Sequence, residues 1–256
     1  PQFQLWATTS SSMTRNMMTR LGMRSLAVLG MVLSFGPVAL SQETPRRIGW
    51  APSYSGSCID CSLVGRNMSG WNISKANYPG ADLTAANLRR VNGHNANFKG
   101  VQAAGADLRL GDFTNATFEK ALLVGARLQG ATFNNSKMAG VTLTRANLSD
   151  GKFIGATLSG AQMQGSIAHS SDFSAATLSG AQMPGADLTG SVFDNAIMIE
   201  ADLTGAQISD ASFRDVRFMG ANLETVTGIE TANFDGACVS HATRLPIGLK
   251  LPDCDQ

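Results

Sequence analysis

The chain has 256 residues, 43% of them hydrophobic and only 15% charged, against the ~25% charged that is usual for soluble domains. Gly reaches 27 residues while Pro stands at 8, which excludes a Pro-rich disordered tract, and no G-X-Y period makes it collagen. A formal net charge of +1 gives no whole-chain argument for nucleic acid or an anionic membrane, and four Cys in so long a chain do not make a disulfide-rich mini-scaffold.

Residues 1–22 carry no usable periodicity and read as an unstructured, over-extended N-terminus. Residues 23–41, MRSLAVLGMVLSFGPVALS, have the layout of a secretory signal peptide. Arg24, with Arg15 and Arg20 upstream, supplies the positive region and Leu26 to Leu40 the apolar one. Ala39 and Ser41 are the small residues before Gln42. A retained membrane anchor is the competing layout, but the apolar run falls short of the ~20 residues needed to span and contains Pro37. Cleavage near Ser41/Gln42 and a secreted or periplasmic mature protein are therefore expected. Residues 42–57 are polar and Pro/Ser-rich and read as a linker.

From Leu63 to Leu223 a large apolar residue recurs every fifth position, 33 units in all, interrupted only by Gly93, Ala103 and Ala168. Two residues before each centre, from Ala76 to Val226, the 31 positions hold 20 Ala, five Val, four Ser and two Gly, and no charge. This period excludes the ordinary elements. Five residues of α-helix turn through ~500°, so the apolar positions would drift around the helix. A straight strand would put successive centres on opposite faces. Spacings of 2, 3, 2, 3 require a short extended piece followed by a corner in every unit, and Gly at 100, 105, 125, 130 and 180 suits such corners. A second period fixes the number of sides. Phe113, Phe133, Phe153, Phe173, Phe193 and Phe213 recur every 20 residues, which predicts four units per coil, about eight coils, and a Phe ladder up one inner corner. At ~4.8 Å per coil the rod is on the order of 40 Å long.

Segments such as ADLTA, ANLRR, ADLRL, ANLSD and ADLTG resemble the A-(D/N)-L-x-x unit of the pentapeptide-repeat family, over roughly residues 61–237. That resemblance implies an all-β fold, a right-handed quadrilateral parallel β-helix. The expected organisation is a β-helix over 58–237, with 58–79 as its N-terminal cap coil, and a C-terminal cap over 238–256. Two departures from the pattern lie at the ends, where a solenoid changes into its caps. Arg66 and Trp71 occupy small-residue positions, and the phase slips by one between Val226 and Phe234.

Cys58 and Cys61 stand at one end of this rod, Cys238 and Cys254 at the other. The two ends are far beyond the ~4.4–6.8 Å Cα separation of a disulfide, so pairing is expected to be local, Cys58 with Cys61 and Cys238 with Cys254. The C-terminal stretch ACVSHATRLPIGLKLPDC is similar to the closing segment of exported family members.

Little points to catalysis. His94, His169 and His241 fall on different sides or in the cap, no phosphate loop or HExxH occurs, and flat solenoid faces lack a water-excluding cleft. No enzyme activity, metal or cofactor is expected. Charge is more informative. Residues 61–152 hold 11 Lys/Arg against 5 Asp/Glu, whereas 153–243 hold 2 against 10. Arg89, Arg90, Arg109 and Arg127 share one side within three adjacent coils, with Asp107 among them, and form a candidate anion- or partner-binding patch. The expected function is a non-catalytic exported scaffold that binds another protein or an anionic envelope polymer, or associates head-to-tail with its own copies. The alternative is a DNA mimic that binds DNA gyrase, as acidic members of the family do; the balance of 17 basic and 19 acidic residues over 42–256 argues against it.

Overall fold

The structure, a computed structural model, describes residues 56–254. The expected signal peptide, the residues before it and nearly all of the linker lie outside the described residues. The described chain is a right-handed, four-sided parallel β-solenoid. Each five-residue unit contributes one bridged residue, the one just before the apolar centre, and it pairs in parallel with the residue 20 positions on, or 21 to 22 on past the phase slip, as in Ser212 with Asn233 and Asn222 with Arg244. The ladder through Ser57, Asn77, Asn97 and onward to Arg217 and Cys238 has ten rungs and therefore nine steps. The solenoid is thus longer than the apolar centres alone suggest, because Ser57 and Cys238 at its two ends are also bridged.

The unit is built from local hydrogen bonds. In the unit centred on Leu83, the Ala86 N–H donates to the Leu83 carbonyl (2.9 Å) and closes a tight turn. Its second turn residue, Ala85, has φ +54°, the signature of a type II turn. Asn and Gly take this conformation readily; a larger L-residue there is held at some steric cost by the rest of the fold. The remaining corner N–H is served by the side chain that gives the repeat its Asp or Asn. Thr84 N–H donates to Asp82 Oδ1 (2.9 Å), Arg89 N–H to Asn87 Oδ1 (3.1 Å) and Ser149 N–H to Asn147 Oδ1 (3.0 Å). Other backbone groups run along the axis, as from Leu83 N–H to the Gln102 carbonyl (2.6 Å) and from Asp82 N–H to the Cys61 carbonyl (2.8 Å).

Every centre from Leu63 to Leu223 is buried, as is every small residue from Ala76 to Val226. Within this core the rings of Phe113, Phe133, Phe153, Phe173, Phe193 and Phe213 stack at centroid distances of 4.8–5.2 Å and within 20° of parallel. Phe234, after the phase slip, extends the column (5.2 Å, 11°). A second, shorter stack of Tyr78, Phe98 and Phe118 stands beside its lower end, meeting it edge-on between Phe113 and Phe118 (5.5 Å, 86°). Gly93 stands where the Phe column would otherwise continue downward. A Cβ there would come within 2.7 Å of the Phe113 ring.

The ends differ. In the first described coil Trp71 is buried and carries the Arg66 guanidinium 5.9 Å from its ring centroid, beside buried Cys58 and Cys61. No described coil lies beneath it, so these positions admit larger side chains than the interior ones. At the other end Val239 pairs with Asp253 and receives a hydrogen bond from Cys254 N–H (2.9 Å). Ile229, Phe234, Val239, Leu245 and Leu251 lie half-buried over the last coil. Cys58 with Cys61 (Cα–Cα 5.5 Å) and Cys238 with Cys254 (4.9 Å) lie within disulfide reach. Among the described residues no helix is long and apolar enough to cross a membrane.

Candidate functional site

The ladder through Asn87, Asp107, Arg127 and Asn147 runs up the side that carries the four arginines. Register alone brings Arg89 and Arg109 to equivalent places on successive coils, each following its bridged residue by two, with Arg90 at the adjoining corner. The side is not a field of four free cations. Asp107, only 6% exposed, accepts two hydrogen bonds from Arg109, Nε to Oδ1 (2.9 Å) and Nη2 to Oδ2 (2.7 Å). It accepts a third from Arg127 Nη2 on the next coil (3.0 Å). The Arg109 hydrogen bonds hold its carboxyl below the ordinary aspartate range against the opposing effect of burial, and Arg127 assists through its charge. One carboxylate thereby orders and partly neutralises two guanidinium groups. Among the described residues Arg89 and Arg90 make no ion pair.

Beside this cluster, at the corner that follows, lies a shallow groove of about 270 Å³ lined by Arg89, Arg109, Leu110, Gln129, Gly130 and Asp150. Leu110 is 47% exposed and has φ +59°. Its side chain leans along the axis over Gly130, where a Cβ would meet Leu110 Cδ2 at 2.8 Å. Gln129, Leu110, Gly130 and Asp150 were not legible as a group in the sequence. The available signal is the 20-residue register itself, which places 109, 129 and 110, 130, 150 in adjoining columns. That register does not say which side chains leave a hollow between them.

Two of the three histidines form pairs that their sequence positions did not reveal. His94 Nε2 lies 2.7 Å from Asp112 Oδ2, and His169 Nε2 lies 2.6 Å from Asp187 Oδ2. In both, the partner follows by 18 residues, one coil up and across the bridged position. Thr114 and Thr189 hydroxyls donate to the same carboxylates (2.7 Å each). A hydroxyl on the carboxylate rather than on the imidazole gives no nucleophile–base contact. In both Asp112 and Asp187 burial acts upward, but the hydrogen bonds from threonine and histidine prevail and hold the carboxyl below its usual range. In the acidic half, Asp194 receives Arg214 Nε (2.9 Å) and Nη2 (2.5 Å) and the Ser212 hydroxyl (2.5 Å). Among the described residues no group of three His, Cys, Asp or Glu is placed to hold a metal ion.

A family model for pentapeptide repeats matches the chain in eight copies, over residues 80–115, 112–150, 152–190, 171–208 and 186–224. No curated protein matches. Among solved structures, HetL, a pentapeptide repeat protein involved in heterocyst differentiation regulation in the cyanobacterium Nostoc, is 22% identical. The match covers 75% of this chain and 90% of that one, with a TM-score of 0.38. Full-length QnrB1, a plasmid-mediated fluoroquinolone resistance protein, is 16% identical over 74% and 94% of the two chains, with a TM-score of 0.34. Rfr23 of the cyanobacterium Cyanothece is 15% identical over 74% and 90%, with a TM-score of 0.16.

Proposed function

The chain belongs to the pentapeptide-repeat family, and from that premise we propose that it is a non-catalytic, exported scaffold whose basic half binds an anionic macromolecule. The observation that carries this reading is the division of charge along the rod, +6 over residues 61–152 and −8 over 153–243, with Arg89 and Arg90 making no ion pair among the described residues of the basic half. A solenoid fixes such groups at coil spacings of ~4.8 Å, so little order has to be created on binding. The signal-peptide layout of residues 23–41 supports export, and two cysteine pairs within disulfide reach suit an oxidising compartment.

The binding test reverses Arg89 and Arg90 to Glu and measures retention on immobilised polyphosphate at low and moderate salt. Retention that falls in the variant and with rising salt is expected, because exposed charges are screened over ~8 Å at physiological ionic strength. Unchanged retention refutes the reading. The N-terminus of the chain recovered from the cell exterior or periplasm tests export separately. It is expected near Gln42, and a cytosolic chain that retains residues 23–41 overturns that part.

A further inference from the structure

We propose that the groove beside Arg89 is a binding site for acidic sugar units of an anionic polysaccharide. The inference rests on the reading of the basic half as an anion-binding surface and gives that surface a specific ligand chemistry. Among the described residues the side chains of Arg89, Gln129 and Asp150 make no hydrogen bond or ion pair, so a ligand can engage all three without breaking an existing contact. Arg89 Nε and Gln129 Oε1 are moreover covered from solvent and unsatisfied. Buried polar groups are nearly always partnered, and leaving one unpartnered carries a free-energy cost that a bound ligand would relieve as the side chain turns to meet it. Arg109, clamped by Asp107, supplies a fixed wall between them.

The chemistry of the lining selects the ligand. Arg89 and Arg109 call for an anionic group, and the planar guanidinium fits a carboxylate. Asp150 and Gln129 Oε1 call for hydrogen-bond donors, and Asp150 repels a simple polyanion. Leu110, held exposed in a conformation unfavourable for its type, offers an apolar surface to a ring face. The ligand therefore carries carboxylate, hydroxyls and apolar C–H surface together. Residues 89 and 150 lie three coils apart, ~14 Å along the axis, which a polymer segment spans and a single small acid does not. An extended peptide is disfavoured because it cannot pair as a strand at this corner. The backbone N–H groups of Arg90, Leu110, Gly130 and Asp150 already donate to the next coil at 2.9, 3.1, 2.9 and 2.8 Å.

Calorimetric titration of the folded chain with a short oligogalacturonate tests the proposal, beside polyphosphate, oligoglutamate and a neutral galactose oligomer. Oligogalacturonate is expected to bind most tightly, and Arg89→Ala and Gln129→Leu are each expected to weaken it about ten-fold. Circular dichroism checks that both variants keep the fold. Gln129→Leu is the deciding variant, since it removes no charge. Oligogalacturonate binding that is no tighter than polyphosphate, or that ignores Gln129→Leu, overturns the groove site and leaves the general anion surface standing. Tighter binding of oligoglutamate also overturns it, in favour of a peptide site. If no polyanion binds at all, the broader reading falls with it.

Discussion

At the scale of single residues the fold depends on how little room the inward small-residue positions leave. Gly151 shows this most directly. A Cβ there would lie 2.6 Å from the Leu148 carbonyl oxygen and 2.8 Å from the Phe153 ring, so backbone must shift to admit it. Gly151→Ala is expected to destabilise the protein by about 1–3 kcal/mol, the usual cost of overpacking, as read from the shift in thermal midpoint. Asp107 makes a prediction of a different kind. Its carboxyl titrates lower in the folded than in the unfolded chain, principally through the Arg109 hydrogen bonds. Its contribution is therefore fully present above the unfolded value, near 4, and is lost as pH falls through the lower folded value. Asp107→Asn should cost about 1–3 kcal/mol at neutral pH, and the gap to the parent protein should close in acid. Parallel denaturation series at pH 7 and pH 3 measure it, and a gap independent of pH would show that the carboxylate's charge is not what orders Arg109 and Arg127.

The unit of the next scale is the column, in which like side chains meet every 20 residues. Phe153 stacks on Phe133 at 5.2 Å and on Phe173 at 4.8 Å. Phe153→Ala is expected to cost about 3–5 kcal/mol, and native-state hydrogen exchange should place the loosening in coils around residues 133–173 rather than at the ends. This column was legible because Phe repeats unbroken from 113 to 213. Phe234 was less visible because the chain inserts a residue before it. Tyr78, Phe98 and Phe118 form a stack of only three before Met138 replaces the ring. The candidate site was legible only in part, for a physical reason. Register places Arg89, Arg109 and Arg127 on one side, since backbone pairing fixes where each Cα lies. Whether an arginine reaches Asp107 or stays unpartnered depends on rotamers of long side chains across coils, which no five-residue pattern specifies.

Taken whole, the rod has two unlike ends and two unlike halves. The C-terminal end is closed by residues 239–254, folded back on themselves by the Val239–Asp253 pairing and held against the last coil by the Asn222–Arg244 pairing and the nearby Cys238 and Cys254. A disulfide between Cys238 and Cys254, which lie within reach of one, would close a loop of this length and be worth about 3 kcal/mol. Cys254→Ser, or reduction of the parent protein, is therefore expected to release the cap first. Limited proteolysis should then cut within 239–254 while residues 80–224 stay protected. Simultaneous loss of the whole solenoid would show instead that the cap is inseparable from the coils.

The pairing of each residue with the one 20 positions away gives every side chain an address, a coil number and one of four compass directions. Insertions act on that address by simple modular arithmetic. Adding 20 residues moves everything downstream along the axis by one step and leaves every compass direction unchanged. Adding five rotates it all by a quarter turn while leaving the five-residue pattern flawless. Placed between Val91 and Asp107, such an insertion would carry Arg109, Gln129 and Asp150 round to another side from Arg89 and dismantle the groove, although the inward pattern of small and large apolar residues would be preserved. Two chains can thus share an equally perfect repeat and differ entirely in what their surfaces gather, so the length of the interval between residues, counted in twenties, carries information that the repeat itself does not.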